Sequence, residues 1–166
     1  MEDVRPATGD DLGRLVELVT AFWSGAGDRR GAAVVHPGDP GGALPGTTHD
    51  DVAHYLSTPD RSALVASLDG WVAGAALCRV DRADGGRRGV LDACFVEPGA
   101  REVGLGRLLL ETAVDWFRDQ RCDGVDGSAL PGDRGAKQFY ESAGFKARLL
   151  VMHLPLGDIP AGEGPG

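Results

Sequence analysis

The sequence predicts an α/β fold: a mixed, mostly antiparallel central sheet flanked by about four helices, forming one domain over residues 1–154. Three observations predict it. Residues 89–117 read as an apolar run, a turn carrying Pro98, Gly104 and Gly106, and a stripe of Leu105, Leu108, Leu109, Ala113, Trp116 and Phe117. That is strand, tight turn and amphipathic helix. Two earlier runs, 62–68 and 71–80, are joined by Asp69-Gly70, a dipeptide suited to the positive φ angles of a two-residue hairpin. The chain has 166 residues, 42% of them apolar, enough for one core and too few to require a second domain.

The elements follow in chain order. Residues 3–7 read as a short strand, and Thr8-Gly-Asp-Asp11 offers a cap for a first helix whose Leu12, Leu15, Val16, Val19, Phe22 and Trp23 share one face. From 24 to 47 glycine, proline and aspartate dominate; a loop of that length in a compact domain borders a binding site or stays solvated. Thr48-His-Asp-Asp51 caps a second helix carrying Val52, Tyr55 and Leu56. A turn at Asp84-Gly-Gly86 leads from the 71–80 strand into the central strand. After the third helix, 124–130 is a weak strand, 133–144 a fourth helix and 146–154 a last strand. Residues 155–166 are rich in glycine and proline and read as a disordered tail.

Composition excludes several classes. Twenty-five acidic against seventeen basic residues give a net charge of −8, which argues against nucleic acid and favours a cationic partner. No apolar run reaches membrane-spanning length, and Met1-Glu-Asp-Val-Arg lacks a secretory pattern, so the expected location is cytoplasmic. Cys78, Cys94 and Cys122, like His36, His49, His54 and His153, show no metal-ligand spacing, and no metal is expected.

The glycine turn carries the chemistry. Where the third helix begins, the N–H groups of Val103 through Leu108 converge with the positive end of the helix dipole, a site suited to phosphate. Arg101 adds a charge at its rim. A Walker loop is excluded because Gly106 is followed by Arg107-Leu108, and the dinucleotide fingerprint fails because Leu109 stands where its third glycine belongs. What remains is Arg101-x-x-Gly104-x-Gly106. With the downstream segment Asp133-Arg-Gly-Ala136-Lys-Gln-Phe139-Tyr140-Glu141-Ser-Ala-Gly144-Phe145, it resembles the two signature segments of the GNAT superfamily of acetyl-CoA-dependent N-acetyltransferases. Asp133 departs from the asparagine common there.

The resemblance implies a sheet splayed beside the cofactor loop and direct acetyl transfer from acetyl-CoA to a primary amine of a small molecule or peptide. It also implies that family members often pair as homodimers. Cofactor contacts then fall on Phe95, Val96, Arg101, Val103, Gly104, Leu105, Gly106, Arg107, Leu108, Asp133, Ala136 and Tyr140. Tyr140 matches the tyrosine that protonates the leaving thiolate, and a backbone N–H near Val96 faces the oxyanion. At pH 7 only about one in 2,500 amines of pKa ~10.4 is neutral, a penalty of roughly 4.6 kcal/mol, so a base is expected. Asp92 and Glu97 are the candidates, on opposite faces if the strand alternates. Phe22 and Trp23 are candidates for the acceptor wall. Two alternatives stay open: an inactive acyl-CoA sensing module and a protein-interaction domain.

Overall fold

The computed structural model describes residues 1–26, 39–83, 85–154 and 156–157. Five strands, β1 (Glu2–Pro6), β2 (Arg61–Leu68), β3 (Trp71–Ala83), β4 (Gly86–Val96) and β5 (Gly124–Gly127), form one sheet in sequential order. All neighbours are antiparallel except β4 and β5, which run parallel. Four helices surround it: α1 (Leu12–Ala26), α2 (His49–Ser57), α3 (Leu105–Asp119) and α4 (Arg134–Ser142). The expected mixed, mostly antiparallel α/β architecture is present.

Period-two alternation divides the core. Leu64, Ala66, Ala76, Cys78 and Leu91 meet Leu105, Leu109, Leu110, Ala113 and Phe117 of α3 on one face. On the other, Ala63, Val65, Leu77 and Ala93 meet Leu15, Leu18 and Val19 of α1 and Val52 and Tyr55 of α2. Gly89 lets α3 approach, since a Cβ there would stand 2.6 Å from the Phe117 ring. Asp69 and Gly70 take φ values of 50° and 83°, which fits the two-residue turn read from the sequence.

The caps also follow the sequence. The Thr48 hydroxyl accepts from the Asp51 amide at 3.1 Å, and the Asp51 carboxylate accepts from the Thr48 amide at 3.1 Å. Asp11 accepts from the Thr8 amide at 2.8 Å and takes both Arg5 Nη groups at 2.7 and 2.9 Å. The Arg5 hydrogen bonds hold its carboxyl at about 2. A lowered folded-state pKa contributes stability above the ordinary carboxylate pKa of ~3.9, and that contribution fades as pH falls toward 2. Asp11→Asn is expected to cost about 1–2 kcal/mol at pH 7, because Arg5 is partly solvated. Urea unfolding should show the wild-type advantage shrinking between pH 4 and 2; a constant difference across that range would refute this.

Three sequence expectations change. Residues 146–154 form no strand; they stay exposed, touching β5 through an ion pair of Arg148 with Asp126 and no ladder. The 124–130 strand stops at Gly127, after which the chain turns away from β4. Asp92 and Glu97 do not face opposite sides. Leu77 pairs with Ala93 and Cys78 with Leu91, so Asp92 is the extra residue of a β-bulge. Both carboxylates find their partners on the α1 side. In the Gly/Pro-rich 24–47 stretch, Asp28, Arg29, Arg30 and His36 lie outside the described residues, as do Asp84 of the second turn and most of the 155–166 tail.

Candidate active site

The β4–β5 ladder ends at Leu91↔Gly127, whereas β4 runs on to Val96. The two strands therefore part and leave a cleft of about 470 Å³ between them, a size suited to a small-molecule site. One wall is β4 from Asp92 to Val96, and the other is Ser128, Ala129 and Leu130 beyond β5. Glu97 N donates to Ala73 O at 2.9 Å, so the adjacent Gly74↔Val96 pair is the non-hydrogen-bonded one. The peptide groups of Val96, and by the same alternation Cys94, consequently point away from β3 into the gap.

At one end lies the glycine turn. A short 3₁₀ turn at Pro98–Ala100 ends the strand, and Gly104 caps α3 with a φ of +82° and no side chain to occupy the first-turn donors. The first α3 hydrogen bond runs from Leu108 N to Gly104 O at 3.1 Å, so the amides before it have no partner within the helix. Gly106 lines the cleft, with Val96 and Phe139 3.5–3.6 Å from where its Cβ would stand. Arg101 lines it too. Its Nε donates to Val96 O at 2.8 Å and its guanidinium lies 5.7 Å from the Phe95 ring centre.

Of the remaining loop residues, Leu105 buries its side chain in the core and offers only backbone. Arg107 pairs with Glu111 at 2.8 Å on the outer face of α3. Val103 and Leu108 are exposed outside the cleft lining.

Across the cleft, α4 presents Asp133, Ala136, Phe139 and Tyr140. Asp133 is the N-cap of α4, its Oδ1 accepting from Ala136 N at 3.0 Å. That use explains a carboxylate where the resemblance expects asparagine, for both side chains cap helices equally well. The Tyr140 ring packs between Phe139 and Phe145, with centroids at 5.5 and 5.2 Å. Burial pushes the phenol pKa upward, with smaller contributions from Cys94 and Cys78. The phenol is therefore protonated throughout the neutral range. Cys94 also lines the cleft, but burial raises its thiol to about 12, so it is not a thiolate nucleophile at neutral pH.

Phe22 and Trp23, at the end of α1, form the far wall with Pro40, Gly41 and Leu44. Phe22 meets Phe95 edge-on at 6.1 Å and 86°, and the Trp23 indole N–H donates to Pro45 O at 3.2 Å. Asp92 lies at this wall, only 3% exposed. Its Oδ1 accepts from Gly41 N at 2.9 Å and Arg79 Nη2 at 3.1 Å, and its Oδ2 from Arg79 Nε at 3.0 Å. Arg79 also bonds Asp39 O at 3.2 Å and ion-pairs with Asp81. Glu97 lies outside the cleft, ion-paired with Arg14 at 2.5 Å and near the Trp71 indole N–H at 3.4 Å.

Sequence reasoning missed Arg79, Gly41 and Ser128. Arg79 carried a faint signal, a charge within an apolar strand. Its pairing with Asp92 needs the bulged register, which no local pattern reveals. Among the described residues, no group of three His, Cys, Asp or Glu is arranged to hold a metal, and no helix is long and apolar enough to cross a membrane.

The model of the Acetyltransferase (GNAT) family matches residues 35–145. No curated protein matches the chain significantly. Among solved structures, AAC(6')-Iy in complex with the bisubstrate analogue CoA-S-monomethyl-acetylneamine superposes with a TM-score of 0.71 at 20% identity, covering 93% of this chain and 97% of that one. An aminoglycoside acetyltransferase from an uncultured soil metagenomic sample, in complex with sisomicin, gives 0.72 at 14% identity, covering 94% and 95%. A ribosomal-protein-alanine N-acetyltransferase from Brucella melitensis biovar Abortus 2308 gives 0.69 at 19% identity, covering 93% and 98%. At such identities the likeness is one of fold.

Proposed function

The chain belongs to the GNAT acetyltransferase family, and from that premise we propose that it transfers the acetyl group of acetyl-CoA to the primary amine of a small cationic molecule by direct attack. The observation that carries this reading is the cleft where β4 and β5 part, which has at one end a helix N-terminus whose cap, Gly104, brings no side chain and at the other an aromatic wall beside a carboxylate. The protein is an acyltransferase by family, with acetyl-CoA as co-substrate.

Residue roles follow from position and chemistry. The Gly104–Arg107 amides and Arg101 take the pyrophosphate, because donors and helix dipole converge there. The inward peptide groups of Cys94 and Val96 pair with the amide-bearing arm of the cofactor, and Val96 N–H faces the carbonyl oxygen on which charge develops. Ala136 and Asp133 bring the start of α4 against the arm from the other side. Tyr140 gives its proton to the sulfur as the C–S bond breaks, and the acetyl carbon forms its new bond to nitrogen.

Of the two carboxylates, Asp92 alone lines the cleft. Three of its roughly four acceptor positions are taken, so we assign it to orient the amine through the fourth. The amine proton then leaves through water. Phe22 and Trp23 form the acceptor wall. A cationic small amine agrees with this acidic position and with the net charge of −8. The solved relatives bound to sisomicin and to an acetylneamine conjugate are aminoglycoside acetyltransferases.

Calorimetric titration with acetyl-CoA, followed by thiol release against aminoglycosides, polyamines, amino acids and N-terminal peptides, tests the proposal. Saturable binding and amine-dependent thiol release on small cationic amines is the expected result. Turnover confined to peptides would overturn the acceptor class, and binding without turnover on any amine would leave an acyl-CoA sensor.

A further inference from the structure

Gly89 and Gly127 both lie in the sheet under an aromatic ring from a helix, and they meet that ring at opposite ends. At Gly89 a Cβ would stand 2.6 and 2.9 Å from Cδ1 and Cγ of Phe117, the root of the ring, where α3 packs on β4. At Gly127, the last residue of β5, a Cβ would stand 2.8 Å from Cε1, 2.9 Å from Cζ and 3.1 Å from the hydroxyl oxygen of Tyr140. Gly89 makes room for a helix. Gly127 makes room for the tip of one side chain.

Nothing in the backbone requires glycine at 127. Its φ is not positive, and it pairs with Leu91 as an ordinary ladder residue. Glycine inside a strand weakens it and is found where another group must come close. The close group here is the phenol, whose ring is held on its other sides by Phe139 and Phe145. The same residue is the last rung before β4 and β5 part, so the contact sits where the cleft opens.

We propose that Gly127 is a positioning residue for the acid step: bare of a side chain, it lets the hydroxyl end of Tyr140 lie against the last rung of β5, where the two strands separate. This role rests on the acetyl-transfer reading, in which Tyr140 is the proton donor. A methyl group at 127 would have to push the ring tip aside. Taking Cε1 from 2.8 Å to an ordinary carbon–carbon contact of ~3.6 Å moves that tip by about 0.8 Å. Misplacing a reacting group by about 1 Å can cost ~10²-fold in rate, so Gly127→Ala is expected to lower kcat by about 10- to 50-fold. Acetyl-CoA affinity should hold.

Single-turnover thiol release on the full chain compares wild type with Gly127→Ala, Tyr140→Phe and the variant carrying both, with acetyl-CoA affinity read by calorimetry. An alanine at 127 crowds Cε1 and Cζ of a phenylalanine ring as it does those of tyrosine, so damage to packing would persist in the Tyr140→Phe background. The loss of a placed proton cannot be suffered twice. The double variant is therefore expected to match Tyr140→Phe within about twofold. A double variant slower than Tyr140→Phe by the full factor of Gly127→Ala would overturn the proposal, as would a wild-type rate in Gly127→Ala beside a slow Tyr140→Phe. Gly124→Ala, on the same strand with nothing within 4 Å of its Cβ, should keep the wild-type rate; an equal loss there would refute a role particular to Gly127. On the wild type itself, nuclear Overhauser contacts between the Gly127 Hα and the Tyr140 ring ε protons are expected, and their absence would overturn the placement whatever the variants' folding. Failure of the acetyl-transfer reading has a different signature, absent amine-dependent thiol release from the wild type with those contacts intact, and the role of Gly127 would fall with it.

Discussion

Tyr140→Phe is expected to lower kcat by about two orders of magnitude, at the lower end of the 10²–10⁴ that a positioned general acid contributes. The lower end applies because a thiolate whose parent thiol has a pKa of ~8.5 leaves with less help than an alkoxide or amide. Phenylalanine keeps the ring contacts with Phe139 and Phe145, so acetyl-CoA affinity and thermal stability should hold. Single-turnover thiol release separates the two effects. A wild-type rate would make Tyr140 a packing residue, and a parallel loss of affinity would make it a binding one. Since burial raises the phenol pKa above its ordinary value, ionisation of Tyr140 should not depress activity below about pH 10. The rate should instead rise from pH 7 to 9 as more of the amine becomes neutral.

Asp92→Ala is expected to destabilise the fold by about 3 kcal/mol, the lower end of the 3–5 found when one partner of a buried ion pair is removed. The lower end applies because Asp81 still faces Arg79. The loss reaches beyond the pair, for Gly41 N loses its acceptor and Arg79 also holds Asp39 O. Residues 39–44, of which Pro40, Gly41 and Leu44 line the cleft beside Phe22 and Trp23, should loosen. Urea unfolding of Asp92→Ala, Arg79→Leu and the double variant forms the cycle, with the double variant less destabilised than the sum. Additive values would show that the two side chains do not act as a unit. The same variant should raise KM for the amine more than for acetyl-CoA, because the Arg101–Arg107 loop lies at the other end of the cleft.

The sequence was legible where structure is local. Thr48 with Asp51, the Asp69-Gly70 turn and the Arg101-x-x-Gly104-x-Gly106 loop each specify their geometry within a few residues, and all three appear as read. Long-range pairing was not legible. Nothing near Arg79 says that it faces Asp92, since that depends on the β3–β4 register and one extra residue in it. The 146–154 run has the apolar content of a strand, but a strand exists only with a partner, and among the described residues no strand pairs with it. Glu97 read as a carboxylate near the cofactor turn, yet Arg14, 83 positions earlier and on a different element, draws it out of the cleft.

The bulge at Asp92 makes the length of β4 as consequential as its composition. Leu91 and Cys94 are three residues apart and both face α3, which strict alternation forbids. The extra residue resets the phase between the half of the strand that builds the core and the half that borders the cleft. Deleting Asp92 itself would restore strict alternation, with Cys94 still toward α3 and Phe95 still toward Phe22, and the register with β3 would be kept. The bulge is therefore a place in this strand where one residue can be lost with both faces kept, and what would be lost there is the carboxylate that ties β4 to Arg79 and Gly41.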